Sequence, residues 1–355
     1  MGLLGGLALR RLDTPEFKDS LTRRAGAALG TTVRVERLEL GVLSGLRLEG
    51  AAIGNPAPLR GDLLTADAIV LKHRLWPLLA GRVVIDNLEL RRPNLALVPD
   101  ARGIFNYERL GGAARSKAAV PAALPLRVTL ERFGIEDGTL TVSDATRTAL
   151  LRLDRLAVNA SVDAGPEGMR SDARLRGALS SSGFAGTLFA EARVERRGSA
   201  GLPTGQGHAD VRDCRVERSA LFSLLATTLQ LPELARPELD ECRVEFRLGG
   251  GRVVTPVVAL KGKPVQVTGT GSLALATGAL DYEMELALRA ELLGRLSVKE
   301  LRAAFKDRGD GYGVLAFKLG GTTAKPATDI PARLAKAAAD EAAKGKLKGI
   351  LGKVF

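Results

Sequence analysis

Apolar and polar residues alternate along most of the chain. The segment from Arg82 to Leu110 is typical: "RVVIDNLEL" alternates, Pro93 interrupts the pattern, and "NLALVP" alternates again before Gly103 and Asn106. Successive side chains of a β-strand point to opposite faces of its sheet, so this period predicts strands with one apolar face. The alternation slips by one residue between Ile85 and Leu88, which predicts a β-bulge that bends the sheet.

Similar segments recur from Thr31 to about Gly321, with turn signals such as Asp-Gly and Gly-Asn-Pro between them. Among these signals, "IEDGTL" predicts a hairpin turn. The helical period appears before the strands, where Pro15 and Glu16 favour a helix start and Gly30 favours its end. A second apolar helix is indicated by "SALFSLLATTLQ". The pattern therefore predicts a mostly β, antiparallel fold with a helix at Pro15–Leu29 and another near the C-terminus.

A wide sheet with one apolar face needs a cover, and the predicted helices look too few to supply it. The cover could be a second sheet, helices or lipid, and the period alone leaves an open face and a closed core as alternatives. "LDYEMELALRA" shows the clearest alternation. The apolar side chains that would form the wall of such a face are Leu140, Val142, Val265, Val267, Leu273, Leu275, Leu280, Tyr282, Met284, Leu286 and Leu288.

The composition limits the kinds of binding partner that are plausible. The net charge is +12 and hydrophobic residues make up 45% of the chain, which fits a sizeable core and an anionic partner. Aromatic residues are only 4%, which disfavours base stacking on nucleic acid and the aromatic girdles of a membrane barrel. The arginines are scattered through the strands, as expected for a solvated outer face. We therefore expect no nucleic-acid partner.

Lysine is concentrated at the C-terminus, in "KGKLKGILGKVF". The last residues predict a basic amphipathic helix that contacts an anionic membrane surface or caps the end of the sheet. The candidates for membrane contact are Lys346, Leu347, Lys348, Ile350, Leu351, Lys353 and Phe355.

Motifs for catalysis or for a cofactor are weak. The serine at Ser44 lacks the glycines of a nucleophile elbow, and the adjacent Glu136 and Asp137 fall in the predicted hairpin turn. Cys214 and Cys242 occur in similar strand settings, where two free thiols are favoured over a disulfide, although an oxidising compartment would permit one. We predict no catalytic residue, no metal site and no cofactor.

The N-terminus carries an apolar stretch from Leu3 to Leu9, which is too short to span a bilayer and lacks the order of a signal peptide. A segment rich in Ala, Gly and Pro divides the strands. We therefore expect an N-terminal region at 1–110, a linker or loop at 111–125, a second β region at 126–330 and the basic helix at 331–355.

The N-terminal region strongly resembles the AsmA family. The resemblance rests on the order of short motifs over about eighty residues, at Gly30, Asn55, Pro56, Leu78, Leu79, Gly81, Pro93, Asp100, Gly103, Asn106 and Leu110. The C-terminal third resembles the family's C-terminal region, with a looser match at Gly321, Thr322 and Pro326, whereas the segment between about Ala164 and Gly207 matches weakly.

This resemblance implies a long, strongly curved sheet that forms an apolar groove, as in the repeating β-groove, bridge-like lipid transfer proteins. It implies a non-enzymatic protein of the bacterial envelope that binds phospholipid or another anionic lipid and supports lipid transport or outer-membrane biogenesis. The implied location is the periplasm at the inner membrane, with the N-terminal anchor missing or truncated here. The alternative is a structural or assembly factor whose apolar face is a closed core or an interface with an envelope protein partner.

Overall fold

The structure is a computed structural model that describes residues 15–41, 45–74, 82–111, 127–181, 183–198, 201–217, 219–296, 302–322 and 325–351. The chain forms two compact units. Unit 1 comprises Met1–Ser181 and Leu188–Pro203, and unit 2 comprises Ser182–Thr187 and Thr204–Phe355. The sequence placed a boundary at 111–125, whereas these units divide near residues 182–204.

The first described element of unit 1 is helix α1, Pro15–Leu29, which has the predicted bounds. Local signals were sufficient for this helix, since Pro15 fits the first turn and Gly30 ends it with a φ of 69°. The strands of unit 1 are β1 (Val33–Arg34), β2 (Arg37–Gly41), β3 (Gly45–Gly54), β4 (Asp62–Arg74), β5 (Arg82–Arg91), β6 (Asn94–Leu97), β7 (Arg127–Ser143), β8 (Ala149–Gly165), β9 (Gly168–Ser181) and β10 (Phe184–Arg197), the last belonging to unit 1 from Leu188 onward.

The sheet of unit 1 is mixed rather than purely antiparallel. Most neighbouring strands pair antiparallel, but β5 and β6 both run parallel to β7. Leu97 at the end of β6 pairs with Val142, near the far end of β7, while β7 begins at Arg127. The connection between Leu97 and Arg127 must therefore return the chain along the whole length of β7, as parallel pairing requires. Of the predicted linker or loop at 111–125, only Gly111 lies within the described residues.

Bulges bend the strands of unit 1 locally. The predicted slip is confirmed, because the pairing of β4 with β5 shifts register at Lys72 and His73, opposite Ile85 and Asn87. The predicted hairpin at "IEDG" is wrong, since β7 continues through it. Asp137 instead takes a left-handed conformation, with a φ of 54°, and the register with β8 shifts there. A bulge absorbs the Asp-Gly pair that would otherwise signal a turn.

Unit 2 contains the remaining strands in an antiparallel arrangement. They are β11 (Thr204–Val216), β12 (Glu238–Leu239), β13 (Glu241–Gly249), β14 (Arg252–Lys261), β15 (Val265–Ala274), β16 (Leu280–Arg289), β17 (Lys306–Asp307), β18 (Tyr312–Gly321) and β19 (Pro326–Thr328). The long strands pair in the order β11, β13, β14, β15, β16 and β18.

Within the described residues of unit 2 the α-helices are α2 (Ala220–Leu229), α3 (Ala290–Gly294) and α4 (Ile330–Leu351), and a 3-10 helix spans Pro232–Ala235. The predicted apolar helix is α2, and its end is fixed by Gln230 in the left-handed conformation. The predicted C-terminal helix is α4. None of the helices in the described ranges combines the length and the apolarity needed to cross a membrane. The mostly β fold with a helix toward each end is therefore confirmed.

Candidate functional site

The apolar sheet faces of the two units differ in how completely they are buried. In unit 2, strands β15, β16 and β18 pack against the three helices in one hydrophobic core cluster. Phe222, Leu225 and Leu229 of α2 are almost completely buried in it, as are Ile330 and Leu334 of α4. A short helix made largely of apolar residues is expected to be buried on most of its surface, so α2 covers more of the sheet than its length suggests.

This cover corrects the sequence-based expectation for five wall candidates. Val265, Val267, Met284, Leu286 and Leu288 do not face an open groove, because all five are buried in the core cluster beneath the helices. The periodic pattern located their shared face correctly but could not show what lies above it.

Four further candidates of unit 2 lie toward the other ends of the same strands. Leu273 and Leu280 are paired with each other and half-buried, whereas Leu275 follows the end of β15 and is exposed. Tyr282 is half-buried, and its hydroxyl lies 2.8 Å from the hydroxyl of Thr255. The apolar face thus changes from closed to partly open along these strands.

Glycines shape the surface where this change occurs. A Cβ added at Gly269 would lie 2.4 Å from the sulfur of Met284, and one added at Gly271 would lie 2.4 Å from the ring of Tyr282. The absent side chains leave room for Met284 and Tyr282 to lie across β15. Larger residues at either position would displace them.

The apolar face of unit 1 is built from two rows of side chains that run across six strands. The residues of each row are direct partners in the strand registers, from β3 through β4, β5, β7 and β8 to β9. One row consists of Leu46, Leu71, Leu88, Phe133, Ala160 and Ala173, and the other of Leu48, Ile69, Leu90, Ile135, Val158 and Leu175. We call these twelve residues the unit 1 apolar face.

Every residue of the unit 1 apolar face is half-buried. The α-helix described in unit 1, α1, contains no buried residue, and the hydrophobic core cluster lies wholly in unit 2. Side chains of this face therefore shield one another along the sheet without the complete burial seen under the helices of unit 2. A continuous, partly exposed apolar surface of this kind is typical of a binding site.

The sequence identified only part of this region. Leu140 and Val142 are half-buried in β7, beyond the bulge at Asp137, where they pair with Leu153 and Leu151 of β8. The twelve residues of the two rows were missed as a set. Their alternation was visible strand by strand, but the register that aligns them across six strands involves residues far apart in sequence.

The opposite face of unit 1 is charged and internally compensated. Arg91 pairs with Glu89 at 2.6 Å, and Arg74 pairs with Asp86 at 2.7 Å. Hydrogen bonding to Arg91 lowers the pKa of Glu89, although partial burial opposes that shift. Ion pairs also join β9 to β10 on this face, for example Arg170 with Glu195 at 2.9 Å. The scattered arginines thus belong largely to a solvated, ion-paired outer face, as the sequence suggested.

Two motif positions of the AsmA resemblance, Asn55 and Asn106, are in contact, and Asn106 is completely buried. Its side-chain amide donates to the side-chain oxygen of Asn55 at 2.7 Å and to the carbonyl of Ala96 at 2.6 Å. Its side-chain oxygen accepts from the backbone N–H groups of Val98 and Tyr107, at 3.3 and 3.0 Å. This network joins the loop after β3 to the loop after β6, so Asn106 has a structural role.

The C-terminal candidates divide between described and undescribed parts. The helix backbone includes Lys346, Leu347, Lys348, Ile350 and Leu351, while Lys353 and Phe355 lie outside the described residues. The burial of Ile330 and Leu334 shows that the start of α4 covers the core of unit 2. Contact of its basic end with a membrane stays a prediction.

The two cysteines are free and buried in the core of unit 2. Each lies in a strand of the β11–β13 pair, and the Cys242 thiol donates a hydrogen bond to Cys214. That bond and burial both raise the pKa of Cys242, so its thiolate is disfavoured.

Comparison of the chain with protein-family models, with curated proteins and with solved structures gave no match.

Proposed function

We propose that this protein is an AsmA-like, non-enzymatic protein of the bacterial envelope that holds phospholipid acyl chains against the unit 1 apolar face. The observation that carries this proposal is the pair of aligned apolar rows, in which all twelve side chains are half-buried. The resemblance of the motif positions to the AsmA family supports a role in lipid transport or outer-membrane biogenesis. The same resemblance supports a periplasmic location at the inner membrane.

The size of the face suits an acyl chain. Neighbouring strands lie about 4.8 Å apart, so a row that crosses six strands is about 24 Å long. One leaflet of a bilayer's hydrocarbon core is about 15 Å thick, which is the depth that an acyl chain occupies in a membrane. Each methylene group that leaves water contributes about 0.8 kcal/mol, so even partial coverage of one chain favours binding by several kcal/mol.

The chemistry of the two sides of the sheet determines where the lipid would lie. The outer face carries ion pairs such as Arg174 with Glu191, at 3.2 Å, and burying them under lipid would require their desolvation. The unit 1 apolar face carries no such cost. Lipid bound there would complete the cover that helices provide in unit 2.

A neighbouring pair of residues in β8 tests the proposal. Val158 belongs to the unit 1 apolar face, and Ala157 precedes it on the same strand, so its side chain points to the opposite face. Both are half-buried. A lysine at either position can extend its ammonium group to water, so both variants should fold. We expect Val158→Lys to lose bound lipid and Ala157→Lys to keep it.

The measurement is mass spectrometry of lipids that remain with the full-length protein after purification from bacteria, with circular dichroism melting as the control for folding. Phospholipid in the wild type and in Ala157→Lys, but not in folded Val158→Lys, would support the proposal. Absence of lipid from the folded wild type would contradict it. If the wild type instead carries a protein that Val158→Lys releases, the face is an assembly interface and the lipid proposal is wrong.

A further inference from the structure

Three loops of unit 1 meet at one edge of its sheet. They are residues 55–61 between β3 and β4, residues 98–111 after β6, and residues 144–148 between β7 and β8. The registers bring the ends of these strands together, since Leu97 pairs with Val142 and Ser143 pairs with Ala149. We call these three loops, together with Leu150, the loop edge.

Direct contacts join the three loops. The side-chain amide of Asn106 donates to Asn55 at 2.7 Å, which links the second loop to the first. The guanidinium of Arg147 donates to the carbonyl of Arg60 at 3.3 Å, which links the third loop to the first. The loop edge is therefore one surface rather than three separate tips.

Large hydrophobic side chains are exposed on this surface. Ile104 is 37% exposed, Tyr107 is 48% exposed and Leu150 is 47% exposed. These are half of the six large hydrophobic residues that are exposed in the described parts of the chain. The ring of Tyr107 stacks on that of Phe105, with centroids 5.8 Å apart, so the aromatic side chain is held in place without being buried.

Three arginines of the loop edge, at Arg60, Arg102 and Arg147, have no carboxylate partner within the described ranges. Each is exposed. They lie one in each loop, so positive charge extends along the whole edge.

The acidic side chains of the same loops are engaged inside them. Asp100 pairs with Arg109 and accepts hydrogen bonds from the N–H groups of Arg102 and Ile104, at 2.8 and 3.0 Å. Burial opposes its ionisation, but these bonds outweigh burial and lower its pKa. Asp144 accepts from the Thr146 hydroxyl at 2.7 Å, which with backbone hydrogen bonds lowers its pKa as well.

The third acidic residue is Glu108, whose carboxylate accepts from the backbone N–H of Phe105 at 3.1 Å. The three loops together contain four arginines and three carboxylates, so the loop edge has a net charge of +1, and Arg60, Arg102 and Arg147 are its arginines without a carboxylate partner in the described ranges. A surface that combines exposed tyrosine and aliphatic side chains with arginine matches the interface of an anionic membrane, where aromatic rings lie at the headgroup level.

We propose that the loop edge docks onto an anionic phospholipid bilayer. Ile104, Tyr107 and Leu150 enter the headgroup region, while the three arginines bind lipid phosphates. Docking at this edge would bring the unit 1 apolar face to its source of lipid, and in that respect the proposal rests on the proposed function. The surface itself is defined by exposure and charge alone.

Sedimentation of the full-length protein with vesicles tests this docking. The vesicles contain phosphatidylcholine alone or phosphatidylcholine with phosphatidylglycerol. We expect binding to the anionic vesicles, with weaker binding to the neutral ones and in high salt. Replacing Arg60, Arg102 and Arg147 by alanine should weaken binding about a hundredfold, since each basic residue near an anionic surface contributes about fivefold.

Matched variants in unit 2 serve as controls. Replacing the exposed Arg236, Arg247 and Arg252 by alanine removes the same charge and should leave most of the binding. Tyr107→Ser should weaken binding, whereas Leu275→Ser, at a residue 53% exposed in unit 2, should not. Circular dichroism melting confirms that each variant is folded.

Equal loss of binding in the two arginine variants would overturn the proposal, because the effect would then reflect net charge alone. Unchanged binding of the loop-edge variants would overturn it too. The proposed function is measured separately, by the lipid that co-purifies with the protein. A protein that carries lipid but does not sediment with anionic vesicles would refute the docking and leave the acyl-chain site standing.

Discussion

Replacing Asn106 by alanine should destabilise unit 1 by about 2–6 kcal/mol. The side chain is completely buried and makes four hydrogen bonds. Its removal takes a partner from the carbonyl of Ala96 in β6 and from the N–H of the buried Val98, which follows that strand. A buried polar group without its partner costs about 1–3 kcal/mol, and two such groups give the predicted range. The remaining partners, on Asn55 and Tyr107, are closer to solvent and can bond to water.

Urea unfolding followed by circular dichroism measures this change, and Asn55→Ala is the matched control. Asn55 is only half-buried, and its removal leaves the bond from Asn106 to the Ala96 carbonyl in place, so we expect a loss of about 1 kcal/mol. Asn106→Asp is a second test, because aspartate has nearly the same size and shape as asparagine. It would place a carboxylate oxygen opposite the Ala96 carbonyl, and it should destabilise at least as much as alanine. If Asn106→Ala unfolds at the same urea concentration as Asn55→Ala, the assigned role of the buried amide is wrong.

Three more predictions concern stability and the thiols. Leu286→Ala should lower the free energy of unfolding by about 2–5 kcal/mol because Leu286 is completely buried, whereas Val158→Ala, at a half-buried residue, should lower it by less than about 1.5 kcal/mol. Equal losses in urea unfolding would contradict the difference in burial between the apolar faces of unit 2 and unit 1. The folded-state pKa of Asp100 is lowered, so its contribution to the free energy of unfolding is complete above the unfolded pKa of about 3.9 and is lost as the pH falls through the folded pKa. Asp100→Asn should therefore make stability less dependent on pH at the acid end of a pH-stability curve. Cys214 and Cys242 are buried and free, so a maleimide should modify them only after the protein is unfolded, and rapid labelling of the native protein would show that the core of unit 2 opens.

Local signals predicted the parts of the fold that local chemistry determines. The bounds of α1 follow from Pro15 and Gly30, and those of α2 from a run of apolar residues. The turn at "IEDG" was predicted from equally local evidence and was wrong, because Asp137 adopts the same left-handed conformation in a bulge as it would in a turn. Sequence alone does not distinguish a chain that reverses from one that only bends.

The candidate site was harder to predict because it depends on contacts between distant residues. Alternation placed Leu286 and Leu288 on an apolar face, but the cluster that buries them includes residues of α2, more than fifty residues earlier. The pairing of Leu88 with Phe133 requires the parallel register of β5 and β7, which no local pattern specifies. The sequence thus identified which residues are apolar in each strand, and the strand order and the helices determine which of them remain partly exposed.

Site-specific photo-crosslinking in living bacteria would show directly whether acyl chains lie on the unit 1 apolar face. Benzoylphenylalanine at Phe133 would place the reactive group in the middle of the face. The same residue at Arg132 tests an exposed neighbouring position, and at Phe222 it tests the helix-covered core of unit 2. After irradiation, mass spectrometry should find phospholipid adducts at Phe133 and not at the other two positions. Lipid adducts of equal yield at Phe133 and Arg132, or none at Phe133 in a folded protein, would show that the unit 1 apolar face does not hold acyl chains.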